Sequence, residues 1–219
     1  MKFSLIHPSR GRCQLAWKAF SEWMGKASTD NQFEYLLCLD DNEPQMDCYK
    51  KQFEHTHIKL ITSQNRSLID AVNEGAKRST GDILIVVSDD FGCPDEWDKK
   101  IEKEFIEANV YKEYAAIHIN DTITTREQGV MTLPILSRSA YEQIGHIYNP
   151  IYFSMFCDNE LYSVCKLNGW LIHSDLVFEH RHFVNGKAQK DATYSRQNSH
   201  EAWKMGEKIY RQRKLHNFK

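Results

Sequence analysis

The sequence predicts an α/β protein with a mostly parallel central sheet flanked by helices, and three observations predict it. Short apolar runs, "KFSLIH", "FEYLLCL", "HIKLITS" and "ILIVV", are unbroken, as in strands covered on both faces. Stretches with apolar residues at helical spacing lie between several of them. Two of the runs end on adjacent acids, Asp40 with Asp41 and Asp89 with Asp90, and open sheets of this kind gather ligands at the carboxyl ends of their strands.

Each element follows in order. "KFSLIH" is a first strand closed by the turn "PSRGR", and "CQLAWKAFSEWM" sets Leu15, Ala16, Ala19, Phe20 and Trp23 at helical spacing. "FEYLLCLDDNEP" is a second strand running into a turn that ends at Pro44, and "HIKLITS" is a third. "SLIDAVNEGAKRSTGD" places Leu68, Ile69, Ala71, Val72 and Ala76 on a helix that stops at Gly81 and feeds the fourth strand "ILIVV". The amphipathic "EWDKKIEKEFIEA" precedes the strand "YAAIHIN", and "ILSRSAYEQIG" reads as a short strand and helix. "DNELYSVCKLNGW" is a helix with Leu161, Val164, Cys165 and Leu167 on its apolar side, and "LIHSDLVFEH" is a late strand. The chain closes on a basic helix, "SHEAWKMGEKIYRQRKLHNFK", with Trp203, Ile209 and Tyr210 available for packing.

With 219 residues and 41% hydrophobic content, the chain has apolar surface enough for one sizeable core. No window approaches the roughly 18–20 apolar residues of a membrane span, and the N-terminus turns polar too early for a signal peptide. A soluble cytoplasmic protein is therefore expected. Cys13, Cys38, Cys48, Cys93, Cys157 and Cys165 lack paired C-x-x-C spacing, which argues against a zinc site and predicts buried free thiols in a reducing compartment. The formal charge of −2 is uneven: from His180 onward ten Lys and Arg face three acids, net +7, leaving −9 for the first 179 residues. A basic tail of this kind is either a solvated surface or a partner for an anion.

Turn chemistry accounts for one aspartate at a strand end, but two acidic pairs on two strands ask for more. There is no G-x-x-x-x-G-K-[ST] loop and no G-x-G-x-x-G after the first strand, so neither a P-loop nor a dinucleotide-binding reading is supported. A nucleotide bound here needs its phosphates neutralised by other means, and magnesium or manganese on carboxylates supplies them. Arg10 and Arg12, following the first strand, suit bidentate anion contacts.

The order of features, a strand into "PSRGR", a strand ending "LDDN", "AVNEGAKRSTGDILIVVSDD", "CDNELYSVCKLNGW" and "FEHRHF", resembles the GT-A fold glycosyltransferases. It is most similar to the nucleotide-sugar-dependent family that includes chitin and cellulose synthases and many bacterial polysaccharide transferases. The resemblance spans most of residues 1–183 and leaves 184–219 as a basic loop and helix packed on the same domain. It implies that Asp41, with Asp40 beside it, contacts the nucleoside, and that Arg66 is a further nucleotide contact. Asn73 and Gly75, then Gly81 and Asp82, match the lead into the D-x-D strand, whose signature is here "SDD". Ser88 replaces the first acid, so Asp90 is the expected metal ligand and Asp89 contacts the ribose or supports the metal indirectly. His180 matches an additional metal ligand, with His182 the weaker candidate.

Asp158 is the expected general base on the acceptor hydroxyl, with Glu160 as the next acid of its motif; capping of the helix is the competing explanation for Asp158. A loop with Lys187, Lys190 and Arg196 is expected to fold over the diphosphate. The implied reaction is transfer of one sugar from a nucleotide-diphosphate sugar, UDP foremost, with Mn2+ or Mg2+ and inversion. The acceptor hydroxyl belongs to a saccharide, a lipid-linked sugar, a protein or a hydroxylated DNA base, and Trp203, Tyr210, Arg211 and Arg213 keep a polyanionic acceptor in view. Two rivals stand beside it: a nucleotidyltransferase, for which "PSRGR" has too few glycines, and a non-catalytic nucleic-acid-binding module resting on the basic tail.

Overall fold

The computed structural model describes residues 1–108, 113–188, 191–197 and 199–219. Its centre is β1 (Lys2–Pro8), paired in parallel with β2 (Gln32–Asp40) on one side and β4 (Ile83–Val86) on the other. β3 (Lys59–Ser63) extends the parallel set beyond β2. On the far side β6 (Ile135–Ser137) runs antiparallel to both β4 and β5 (Ala116–Asn120), and β7 (Leu171–Val177) pairs in parallel with β5. The sheet order is β3-β2-β1-β4-β6-β5-β7.

Alternate residues of the strands feed two cores, as the two-residue period of a strand requires. On one face Phe3, Leu5, Ile83 and Ile85 pack against Trp23 of α1 (Cys13–Gly25) and Trp97 and Ile101 of α4 (Trp97–Glu107). On the other, Ile6, Leu36 and Leu84 meet α3 (Leu68–Arg78), α5 (Arg138–Ile144) and α6 (Cys157–Leu167) through Val72, Ala140 and Leu161. Gly75 has a steric reason: a Cβ there would stand 2.6 Å from Cys38 Sγ and 2.7 Å from Ile6 Cγ2, so α3 lies close on the sheet only as glycine. Asn73, two residues earlier, clamps the loop after α5 by accepting from the Ile147 and Tyr148 N–H groups and donating to the Tyr148 carbonyl at 2.7 Å.

Four expectations are corrected. A helix, α2 (Met46–Phe53), follows the second strand where only a turn was expected, burying Tyr49 and Phe53. Leu15 and Leu167 are 46% and 59% exposed, so each lies off the buried face assigned to it. Cys13 and Cys48 are joined in a disulfide that ties the start of α1 to α2, leaving Cys38, Cys93, Cys157 and Cys165 as the free thiols. Thirty-five residues separate the pair, and only the packing of two helices brings them together. Among the described residues no helix is long and apolar enough to cross a membrane. The chain ends with α7 (Ala192–Gln197) and α8 (His200–Leu215), the latter packed on α6.

Candidate active site

Because β1, β2 and β4 are parallel, the loops after them emerge at one edge, and there they line a cleft of about 280 Å³. Asp89 sits at its floor. The carboxylate is almost wholly buried, accepts from Ser9 Oγ at 2.8 and 3.0 Å, and faces His7 Nε2 at 3.0 Å. His7 meets the Tyr35 hydroxyl at 2.6 Å and Ser9 meets that of Tyr49 at 2.7 Å. The oxygens of Asp89 are thus engaged with protein groups, and they fix the exit of β1, with Arg12 Nη1 3.8 Å away.

Asp90 is held differently. The Ser88 hydroxyl donates to Oδ1, and His180 Nε2 lies 3.4 Å from Oδ2. His180 is brought there by backbone: its segment forms an antiparallel bridge with Phe91, Arg181 N–H donates to the Asp90 carbonyl at 2.7 Å, and the imidazole stacks on the Phe91 ring at 4.2 Å. Phe91 is itself fixed by the Trp23 indole, which donates to its carbonyl at 3.0 Å. Burial works against ionisation of Asp90, but His180 and the Ser88 hydroxyl more than offset it, and the pKa lies below the ordinary carboxylate value. An anionic carboxylate beside an imidazole fits an open divalent-metal site that draws its other ligands from phosphate and water. Among the described residues no group of three or more His, Cys, Asp or Glu is placed to hold a metal ion. His180 Nδ1 is buried with no hydrogen-bond partner among them.

The opposite wall is the first turn of α6. Its N-cap is Phe156, in the left-handed region at φ 72°, a conformation that costs a non-glycine residue about 1–3 kcal/mol. Asp158 follows, half-buried and lining the cleft. Burial raises its pKa above the ordinary value, opposed only in part by the Asn159 N–H, which donates to Oδ1 at 2.9 Å. Asp158 lies inside the first turn and is not the helix cap, and that bond from the next residue occupies one oxygen. Glu160 is turned away from the cleft and buried, accepting from Tyr152 and Asn149 at 2.7 Å each and from Arg213 Nε at 2.8 and 3.0 Å.

Of the other expected residues, Arg10, Arg12, Asp40 and His182 also line the cleft. Arg10 donates to Asp40 and to Asn42 at 2.7 Å, while Asp40 accepts from Asn65 at 2.9 Å. Arg12 makes a two-pronged bond to Asp191 at 2.5 and 2.7 Å. Asp41 is exposed and outside the lining, so Asp40 is the acid that β2 directs inward. Arg66 is 63% exposed, holds Asp70 at 2.7–2.9 Å and reaches the Pro150 carbonyl, likewise outside the lining. Lys187 pairs with Glu179. Lys190 and the Arg196 side chain lie outside the described residues. Arg211 pairs with Glu207 on the surface, and Arg213 is turned inward to Glu160. Sequence reasoning missed His7, Ser9, Tyr49 and Asp191. An acid between the basic residues Lys190 and Arg196 was the available signal for Asp191, and a histidine within an apolar strand was the one for His7.

A mostly parallel sheet with acids at the ends of neighbouring strands over a cleft is the architecture of the GT-A fold, and solved structures share it. The model described as Glycosyl transferase family 2 matches residues 19–162, the greater part of the chain, and the protein belongs to that family. Among similar structures is S. aureus TarS 1-349, seen with UDP at 16% identity over 81% of this chain and 59% of that one, TM-score 0.61. The same protein with UDP-GlcNAc matches at 14% identity over 89% and 61%, TM-score 0.66. The mannosyltransferase PcManGT from Pyrobaculum calidifontis, in complex with GDP-Man and Mn2+, matches at 13% identity over 97% and 61%, TM-score 0.66. The chain thus spans about three fifths of the length of these structures. No curated protein matches the sequence.

Proposed function

We propose that this glycosyltransferase moves a single sugar from a nucleotide-diphosphate sugar, UDP-linked foremost, to a hydroxyl acceptor with inversion, using Mn2+ or Mg2+. The observation that carries the reading is the convergence of Asp90 and His180 on one wall of the cleft with Asp158 on the other. The donor complexes of TarS with UDP-GlcNAc and of PcManGT with GDP-Man and Mn2+ support a donor of this class.

Asp40, Arg10 and Ser9 surround the nucleoside end of the cleft, and Arg12 stands where it can exchange Asp191 for phosphate oxygens. Asp90 and His180 would hold the cation. When bound there, the divalent ion supplies the positive charge that stabilises a departing nucleoside diphosphate. Asp158, its pKa raised by burial, accepts the acceptor's hydroxyl proton as that oxygen attacks the anomeric carbon. Residues Thr193 and Tyr194 border the cleft beside Arg10 and limit water access to it.

The test is nucleotide release from a panel of UDP- and GDP-sugars with manganese, run with and without chelator. Release that requires the metal and falls away in Asp90→Ala supports the reading. Release of pyrophosphate, or turnover indifferent to chelator, overturns it.

A further inference from the structure

We propose that α8, at the end of the chain, is the positioning element for Asp158, acting through Gly206 and Arg213; this rests on the reading of Asp158 as the base. Nothing in a helix N-terminus by itself fixes where its carboxylates point, and α6 begins without a side-chain cap, on a phenylalanine held at φ 72°. A bulky residue persists in that region only when its surroundings over-determine it. Part of those surroundings is α8, beside the core cluster on which Phe156 also packs. The Phe156 ring lies edge-on to Trp203 at 4.9 Å and against Tyr210 at 5.8 Å.

Gly206 makes the backbone contact. It is buried in the middle of α8, where glycine weakens a helix, and a Cβ added to it would stand 2.4 Å from the Met155 carbonyl oxygen and 3.0 Å from its carbon. The helix therefore rests on the peptide that leads into the left-handed turn. One turn further along α6, Arg213 grips Glu160 with Nε at 2.8 and 3.0 Å, while its Nη2 donates to the Phe218 carbonyl at 2.8 Å. Tyr210 adds a bond to Ser163 at 2.9 Å.

Asp158 and Glu160 are two residues apart, so on a helix they face opposite sides. The first side chain meets the cleft and the second meets α8. Rotation or sliding of α6 about its axis is blocked from behind by Glu160 and at its start by Met155 and Phe156. Asp158 itself accepts from the Asn159 N–H at 2.9 Å. The rigidity of the base thus comes from the helix behind it. Gly206 and Arg213 touch no reacting atom and are positioning residues.

The experiment uses the full chain and two readouts. The turnover number is measured as nucleotide release from the donor sugar that the panel identifies, and UDP affinity is measured by calorimetry with Mn2+ present. Arg213→Gln and Gly206→Ala are expected to lower kcat on the order of 10–100-fold, as a displacement of about 1 Å does. UDP affinity should stay within about twofold, because the donor's contacts are made elsewhere in the cleft. Arg213→Lys, which keeps the charge without the planar fork, is expected to recover part of the loss. If Arg213→Gln does not fold, Gly206→Ala and Arg213→Lys carry the test. Loss of UDP affinity in parallel with kcat, or an unchanged kcat in folded variants, would overturn the inference. Asp158→Asn separates the two readings: if it retains wild-type turnover the base assignment fails, and if it is inactive while the α8 variants are fully active only the positioning role fails.

Discussion

Burial raises the pKa of Asp158, with opposite consequences for reaction and for stability. A base works when ionised, so the acid limb of kcat/KM should fall above the ordinary aspartate range of about 4. For stability the sign reverses: a carboxyl whose pKa is raised on folding favours the protonated form, and the stability it contributes is lost as pH rises through the folded value. Asp158→Asn keeps an oxygen for the Asn159 N–H and removes the buried charge. It should therefore lower turnover by about 10²–10⁴-fold while melting higher than the wild type at neutral pH, the difference vanishing near pH 3. Parallel melts at the two pH values check this, and a variant that is both inactive and less stable at neutral pH contradicts it. Asp90, Asp158 and His180 could be singled out from sequence because their motifs are local, and the structure brings all three to one cleft. The engagement of Arg12 with Asp191 was not, since it joins residues 179 positions apart.

Elements show where local pattern stops being informative. The strands and α1, α3, α4 and α6 were readable because most of them carry a mainly apolar run or a clear helical period. The eight residues of α2 carry two core anchors, Tyr49 and Phe53, too few for a period to emerge. The same helix hid the Cys13–Cys48 disulfide, which no spacing rule suggests. Closing a loop of this size stabilises the fold by about 3–4 kcal/mol. Reduction with dithiothreitol, or Cys48→Ser, should lower the melting temperature and weaken donor binding, because Arg12 directly precedes Cys13; an unchanged melting temperature would contradict it. In the sheet, Glu34 of β2 is buried between strands, and burial alone would raise its pKa. Lys59 at 2.6 Å, Ser4 Oγ at 2.5 Å and the Thr80 N–H overcome that and hold it down to about 2. A depressed carboxyl contributes stability at neutral pH that is lost as pH falls through the window from about 4.5 to about 2. Glu34→Gln should thus destabilise at pH 7 and converge with the wild type in acid, which pH-dependent denaturant melts will show.

At the scale of the molecule, the reading from sequence reached the architecture because parallel strands, acidic strand ends and the missing phosphate loops agree on one kind of site. It did not reach the way the C-terminal segment closes on that site, because packing of α8 depends on a glycine contact and an inward arginine that look, in sequence, like a flexible joint and a surface charge. Residues 180–219 supply His180 to one wall, Thr193 and Tyr194 to the rim and α8 to the support of Asp158. Truncation before residue 199 should therefore abolish turnover while leaving UDP binding with Mn2+ measurable, a calorimetric comparison; loss of both would assign α8 to folding alone. The claim on which the rest depends is that the corner between Asp90 and His180 takes the cation that accompanies a nucleoside diphosphate. Anomalous scattering from crystals grown with Mn2+ and UDP tests it most directly. The account predicts a manganese peak in contact with Asp90 and His180, with the diphosphate beside it and the nucleoside toward Asp40. A nucleotide bound in the cleft with no manganese at that corner, or manganese held by other residues, would contradict it.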